Sequence, residues 1–313
     1  MKKLISLLFL GVSLCANEGP GLKQEAYKEA ELFQIMSSFE SSKPGVRGHA
    51  AMIMFKGYLA MVEAMDSGKG DAAFAFYDIS DPKNPKRVAL YADENTKELF
   101  EGHNYAFTVI DDRDIVFLIA QTGLQIWDWT NIHQPKLISK IHMPLLSGGA
   151  YDRTAWWIAA QYPKLYLGGT NTGLYIIDAQ DIQNPKVDKR ISTNKLGGFK
   201  VGSVFACGNL LVANTFDGKG ISLLDISDPL NPQLKSTINE AFGYTTLFNG
   251  GYVYGIGEKP KIWDVKNLEK PILVSDYKGP KMGSKGGYAI FQDGYLHQGV
   301  SSSYAKLDVR DPK

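Results

Sequence analysis

The stretch FAFYDISDPKNPKRVALY, residues 74–91, decides how this chain is read. FAFYD has the aromatic and apolar make-up of a strand. DPKNP cannot continue that strand, because proline removes a ladder donor, and KRVALY resumes the strand pattern. Asp and Asn close such turns by accepting backbone N–H groups. A single hairpin of this kind would carry little weight, but this one recurs along the whole chain.

The aspartate that ends the strand returns as Asp78, Asp128, Asp178, Asp225, Asp264 and Asp308, at separations of 50, 50, 47, 39 and 44 residues. A proline stands seven residues after each of the first five, at Pro85, Pro135, Pro185, Pro232 and Pro271. The strands LQIWD (124–128), LYIID (174–178) and ISLLD (221–225) are apolar on both faces, as strands packed between neighbouring sheets are. Tight turns at Lys56–Gly57, Gly208–Asn209, Asn249–Gly250 and Asp293–Gly294 join the first two strands of their blocks, with glycine supplying positive φ. A period of 40–50 residues built from four strands signals a repeat architecture. No amphipathic helix separates the strands, which disfavours a βαβ arrangement.

The expected fold is all-β: a six-bladed β-propeller of four-stranded antiparallel blades within a single domain, 32–313. Five blocks contain a fourth strand. A strand at about 32–40, in LFQIMSSFES (32–41), matches those fourth strands. Its Phe39 aligns with Tyr91, Ile141, Ile191, Ile238 and Tyr277, and its Ile35 with Leu137, Val187, Leu234 and Leu273. It is therefore expected to complete the last blade and leave no open edge.

The repeated signature resembles that of the LVIVD-repeat family of exported and cell-surface propellers. It reads FAFYDISDPKNP at 74–85, LQIWDWTNIHQP at 124–135, LYIIDAQDIQNP at 174–185 and ISLLDISDPLNP at 221–232. KIWDVKNLEKP at 261–271 and AKLDVRDP at 305–312 are weaker copies, with Asn267-Leu268 where an Asp-Pro would fit. The resemblance covers about residues 48–313. It implies a secreted or surface-attached propeller and carries over no catalytic residues.

Compartment is read from the first residues. Lys2 and Lys3 precede the apolar run Leu4–Leu14, too short to span a bilayer and suited to a signal peptide over 1–16. Cys15 offers an alternative, a lipid anchor, although Leu14 is bulky for that motif. Residues 17–31 form a polar leader. The chain is thus expected to be exported, to the periplasm or cell surface, with no transmembrane segment once mature. Cys207, in an apolar strand pattern with no obvious disulfide partner, is read as a buried inert thiol.

Charge excludes one partner class. The formal net charge is +1, and without Lys2 and Lys3 the basic residues number 32 against 33 acidic, with no basic cluster carrying interleaved aromatics. Nucleic acid is not an expected partner. The expected partner is an envelope protein or surface component.

Candidate sites are few. The six aspartates occupy one repeated slot and are read as structural turn caps, since a ring of blades keeps equivalent positions apart. His49 and His103 each follow a glycine and open the innermost strand of blades one and two. Arg153 and Lys200 occupy comparable places in blades three and four, and Lys285 lies near that place in blade six. Together these groups suggest a small-ligand or anion site at one channel mouth. No HxH or HxxxH pair exists, and no metal or cofactor is expected. There is no G-x-S-x-G elbow, and GSKGG at 283–287 lacks the strand-to-helix context of a phosphate loop. The longer connection 142–153, containing LLSGGAYDR, is a candidate binding loop, and one of Trp156 and Trp157 is expected in the core. The leading functional expectation is a non-catalytic interaction scaffold. The alternative is a periplasmic enzyme or ligand binder using the channel mouth.

Overall fold

In the computed structural model the residues described are 51–66, 71–99, 104–148, 151–216, 218–240, 243, 245–279, 281, 288–300 and 303–312. Their strands form six antiparallel sheets. Sheet 1 holds β1 (Ala51–Phe55), β2 (Tyr58–Asp66), β3 (Asp71–Asp78) and β4 (Lys86–Tyr91). Sheet 2 holds β5 (Tyr105–Ile110), β6 (Arg113–Ala120), β7 (Gly123–Asp128) and β8 (Lys136–His142). Sheet 3 holds β9 (Trp157–Gln161), β10 (Lys164–Gly168), β11 (Leu174–Asp178) and β12 (Lys186–Ile191). Sheet 4 holds β13 (Val201–Cys207), β14 (Leu210–Thr215), β15 (Ile221–Asp225) and β16 (Gln233–Ile238). Sheet 5 holds β17 (Thr246–Asn249), β18 (Tyr252–Gly255), β19 (Lys261–Asp264) and β20 (Ile272–Asp276). Sheet 6 has three described strands, β21 (Tyr288–Gln292), β22 (Tyr295–Val300) and β23 (Ser303–Asp308). The expected six-bladed propeller is borne out. The strand expected at 32–40, the leader and the export signal lie outside the described residues.

Each sheet follows chain order, so its first and third turns share one end and its middle turn shares the other with the connection between sheets. The first turns are all two residues long, because β-pairs close at Phe55↔Tyr58, Ile110↔Arg113, Gln161↔Lys164, Cys207↔Leu210, Asn249↔Tyr252 and Gln292↔Tyr295. The fifth of these turns is Gly250–Gly251, one residue later than expected. In sheet 2 the turn is Asp111–Asp112, with φ of +50° and +59° and no glycine. Aspartate tolerates that region because its short side chain bonds locally.

The sheets fall into two compact units, sheets 1 to 4, and sheets 5 and 6 with Gly218–Gly220. In the first unit three apolar layers separate successive sheets. Between sheets 1 and 2 lie Phe74, Phe76, Tyr105, Val116, Trp127 and Trp129. The Trp129 ring sits 5.0–6.0 Å from those of Phe55, Phe74, Phe76 and Tyr105, within the range of favourable aromatic pairing. Ile115, Phe117, Ile126, Leu165 and Ile177 fill the layer between sheets 2 and 3. Tyr166, Ile176, Leu211 and Leu224 fill the layer between sheets 3 and 4. Trp156 and Trp157 are both buried in this last layer, rather than one of them alone, because Trp156 lies ahead of β9 and pairs with Phe216 at 4.6 Å while Trp157 meets Phe205 at 5.7 Å.

In the second unit, Tyr254 packs on Phe291 at 4.7 Å. The Gln298 side chain joins sheets 5 and 6 by donating to Gly257 O (2.9 Å) and accepting from Gly257 N (3.3 Å). Cys207 is exposed, contrary to expectation, because it is the last residue of β13 before the Gly208 turn.

Candidate functional site

The two ends of the sheets differ in chemistry. At the end carrying the first and third turns, one pattern repeats six times. Oδ1 of Asp78, Asp128, Asp178, Asp225, Asp264 and Asp308 accepts the N–H two residues on, at 2.9–3.1 Å. Asp81, Asn131, Asp181, Asp228 and Asn267 do the same one step later, at 3.0 Å. Asn267 therefore closes its turn as the aspartates do, since an amide oxygen accepts equally well.

These bonds have an electrostatic signature. The Ser80 N–H holds Asp78 below the ordinary carboxylate value, the Gln180 N–H does so for Asp178 and the Ser227 N–H for Asp225. The Arg310 guanidinium holds Asp308 at about 2. The residue after the aspartate then ties back to the neighbouring first turn. Ala179, Ile226, Val265 and Val309 donate their N–H to the carbonyls of Pro163, Asn209, Gly251 and Gly294, and Trp129 donates to that of Asp114, just past the turn in β6, at 2.8–3.1 Å. Each of the six aspartates thus engages its own turn.

At the opposite end the described connections among sheets 1 to 4 each carry a short 3-10 turn, held by different bonds. Between sheets 1 and 2, Asp93 caps the 3-10 turn Thr96–Leu99 by accepting from Asn95 N (2.8 Å) and Thr96 N (2.9 Å). Burial alone would raise the Asp93 carboxyl, yet its bonds to Thr96, Asn95 and Tyr91 leave it lowered. Buried Gln125 locks this turn to sheet 2, donating to Asn95 O and accepting from Trp127 Nε1, both at 2.8 Å.

The connection between sheets 2 and 3, which contains the candidate loop 142–153, is held at several points. Met143 N–H donates to Thr122 O (2.9 Å), Ala155 N–H to Gln121 O (3.0 Å) and Trp156 N–H to Gly168 O (2.7 Å). Ser147 and Gly148 both donate to Arg153 O, and Tyr175 Oη donates to Pro144 O. Within it, Leu146 N–H bonds Met143 O at 3.2 Å, closing a turn with Pro144 second and Leu145 third. Leu145 has φ +73° and is 60% exposed. Glycine is the residue that sits there without strain. A leucine in left-handed backbone costs about 1–2 kcal/mol.

The expected channel-mouth residues are partly placed. Arg153 ends a short 3-10 turn, Tyr151–Arg153, and is exposed. Lys200 leads into β13 and pairs with Asp152 at 3.0 Å, so a carboxylate neighbours both cations, one in space and one in the chain. His49, His103 and Lys285 lie outside the described residues. His133 and His142 are exposed, with His142 Nδ1 3.0 Å from Thr122 Oγ1, and His297 Nδ1 lies 2.5 Å from Tyr304 Oη. Among the described residues no three His, Cys, Asp or Glu side chains gather as metal ligands, and no helix is long and apolar enough to cross a membrane. The sequence pointed to this connection, LLSGGAYDR included, but not to the positive-φ turn at Leu145 or to the pairing of Asp152 with Lys200. The Pro-Leu pair was the available signal for the turn.

No family model and no curated protein matches the chain. Solved structures do. A functionally unknown protein from Desulfotomaculum acetoxidans aligns with a TM-score of 0.55 at 12% identity, over 88% of this chain and 93% of its own. The Cps50 (Swd1) beta-propeller domain of Myceliophteria thermophila aligns at 0.54 and 11% identity, over 84% and 98%. The fold is that of a β-propeller. The computationally designed Ika8 protein agrees, at 0.54 and 15% identity over 82% of this chain and 69% of its own. At these identities the likeness carries the fold alone, and the LVIVD resemblance rests on the repeated signature.

Proposed function

We propose that this propeller is a non-catalytic exported scaffold that binds an envelope protein or surface component through the sheet 2–sheet 3 connection. The observation that carries this reading is Leu145: an exposed leucine, in backbone that favours glycine, on a turn tied to sheets 2 and 3 by backbone bonds on either side. Strain of this kind persists where surrounding structure over-determines it, and it gathers at binding sites. Asp152 and Arg153 follow in the same connection and supply exposed charge beside the apolar contact, the mixture found at protein interfaces.

The anion-site reading is less well supported, because Asp152 offsets the charge of Lys200. Envelope extracts passed over immobilised wild-type protein and the Leu145→Gly variant test the proposal. A partner retained by the wild type and lost by the variant, with thermal unfolding no lower than in the wild type, is the expected result. Retention of the same proteins by both would sink it.

A further inference from the structure

Three segments meet at the connection end of sheets 3 and 4. Asp152, in the sheet 2–sheet 3 connection, accepts from Asn171 N at 3.1 Å through its carbonyl and from Lys200 Nζ at 3.0 Å through its carboxylate. The chain neighbours of Asn171 and Lys200 hold them together: Thr170 N donates to Val201 O (2.8 Å) and Val201 N to Thr170 O (3.0 Å). The cycle Asp152–Asn171–Thr170–Val201–Lys200 thus closes on itself. Thr170 is fully buried with φ +50°, backbone that a β-branched residue rarely enters, and the two bonds to Val201 keep it there.

The cycle leaves a charge imbalance around it. Residues 142–156, 169–173 and 192–200 contain one acid, Asp152, against Arg153, Lys195 and Lys200. Asp152 is committed to Lys200. Arg153 and Lys195 are exposed and have no ion pair among the described residues. Arg190 donates to Thr172 O at 2.6 Å, which brings a further guanidinium to the 169–173 turn. The connection between sheets 1 and 2 has the opposite balance, with Asp93, Glu94 and Glu98 against Lys97 in 92–99. Arg153 also adjoins the exposed Leu145 turn, since its carbonyl accepts the N–H groups of Ser147 and Gly148 at 3.1 and 3.3 Å.

We propose that this surface takes an acidic protein segment, which sets an apolar side chain on Leu145 and a carboxylate on Arg153; the assignment rests on the reading of Leu145 as a docking site. Arginine suits that carboxylate because its planar fork can donate two parallel hydrogen bonds. Lys195 and Arg190 add attraction of the same sign, and the acidic connection between sheets 1 and 2 turns such a segment away. Charges of this kind act mainly on encounter rate and specificity, and salt screens them.

Fluorescence anisotropy with the whole chain tests this, using two short labelled peptides, one alternating leucine with glutamate and the other leucine with lysine. In about 50 mM salt the glutamate peptide should bind at least about 10-fold tighter, and about 300 mM salt should remove most of that difference. Arg153→Glu and Leu145→Gly should each weaken the glutamate peptide at least about 5-fold, with thermal unfolding no lower than in the wild type. Lys83→Glu, which reverses an exposed cation at the repeated-turn end, should leave it unchanged. Equal affinity for the two peptides, binding of neither, or equal weakening by Lys83→Glu would overturn the proposal. So would a dimer in sedimentation that Arg153→Glu dissolves, since a second copy of this chain would then be the occupant. Weakening by Leu145→Gly but not by Arg153→Glu would reject the acidic segment and leave the docking reading intact. Weakening by Arg153→Glu but not by Leu145→Gly would reject the docking reading, and this assignment with it.

Discussion

The two ends of the sheets are made from the same strands and follow different rules. At one end, six aspartates bond the N–H two residues on, and an Asn267 turn matches its Asp counterparts. At the other, the three described connections among sheets 1 to 4 each carry a short 3-10 turn but are held by different bonds: one is capped by Asp93, one is built around Leu145, and one is joined to its neighbour through Lys200 and Asp152. Repetition at the first end reflects a local requirement common to all blades. The proposed partner-binding role draws on the second end, where the bonds differ from one connection to the next.

Substitutions can break or sharpen that contrast. The largest effect is expected from Trp129→Ala, which removes a fully buried ring touching four aromatic neighbours just after the Asp128 turn, and should cost about 3–5 kcal/mol in urea unfolding. A loss below about 1 kcal/mol would mean that the repeated end does not organise the core beside it.

Gly173→Ala comes next. Gly173 lies at the connection end with φ +101°, and an added Cβ would stand 2.1 Å from Ile191 O. A cost of about 3 kcal/mol is expected, combining overpacking with backbone strain. Gly208→Ala, at the repeated end with φ +57° and open space around it, should cost only about 1 kcal/mol. Equal costs would remove this distinction between crowded and open turns.

Asp178→Ala should lose about 1–2 kcal/mol, because the Gln180 N–H loses its acceptor and Lys164 is left with Asp188 alone. Asp178→Asn should recover most of it if the turn needs an acceptor rather than a charge.

Acid provides a smaller, collective test. Asp78, Asp81, Asp178, Asp181, Asp225, Asp228 and Asp308 all lie below the ordinary 3.8 in the folded chain. Their contribution is complete above that value and is lost as pH falls through the lowered ones, reaching about 2 for Asp308. Unfolding temperature should therefore fall as pH drops below about 4, and replacing Asp308 with Asn should flatten the lowest part of the curve. Smallest of all is Leu145→Gly, expected to leave stability unchanged or raise it by up to about 1 kcal/mol as strain is relieved and chain entropy is lost. A fall of more than 1 kcal/mol would show that Leu145 holds the fold together rather than facing a partner.

Local bonding explains which features could be read from sequence. The Asp turns were legible because each acceptor and donor lie two residues apart, so spacing alone reveals them. Glycine revealed most of the first turns, but Asp111–Asp112 carries the same positive φ without it. Cys207 looked buried because SVFACG reads as an apolar strand, and only the position of the turn put it outside. The pairing of Lys200 with Asp152 joins residues 48 apart, and no periodicity announces it.

What the sequence determined by itself is the repeating blade. Its signals are alternation, proline and a side chain bonding its own backbone, all of which act within a few residues. Tertiary structure alone decided which side chains meet across blades and where Leu145 is displayed. Those outcomes depend on residues brought together from distant parts of the chain, and local sequence does not encode which partner each will find.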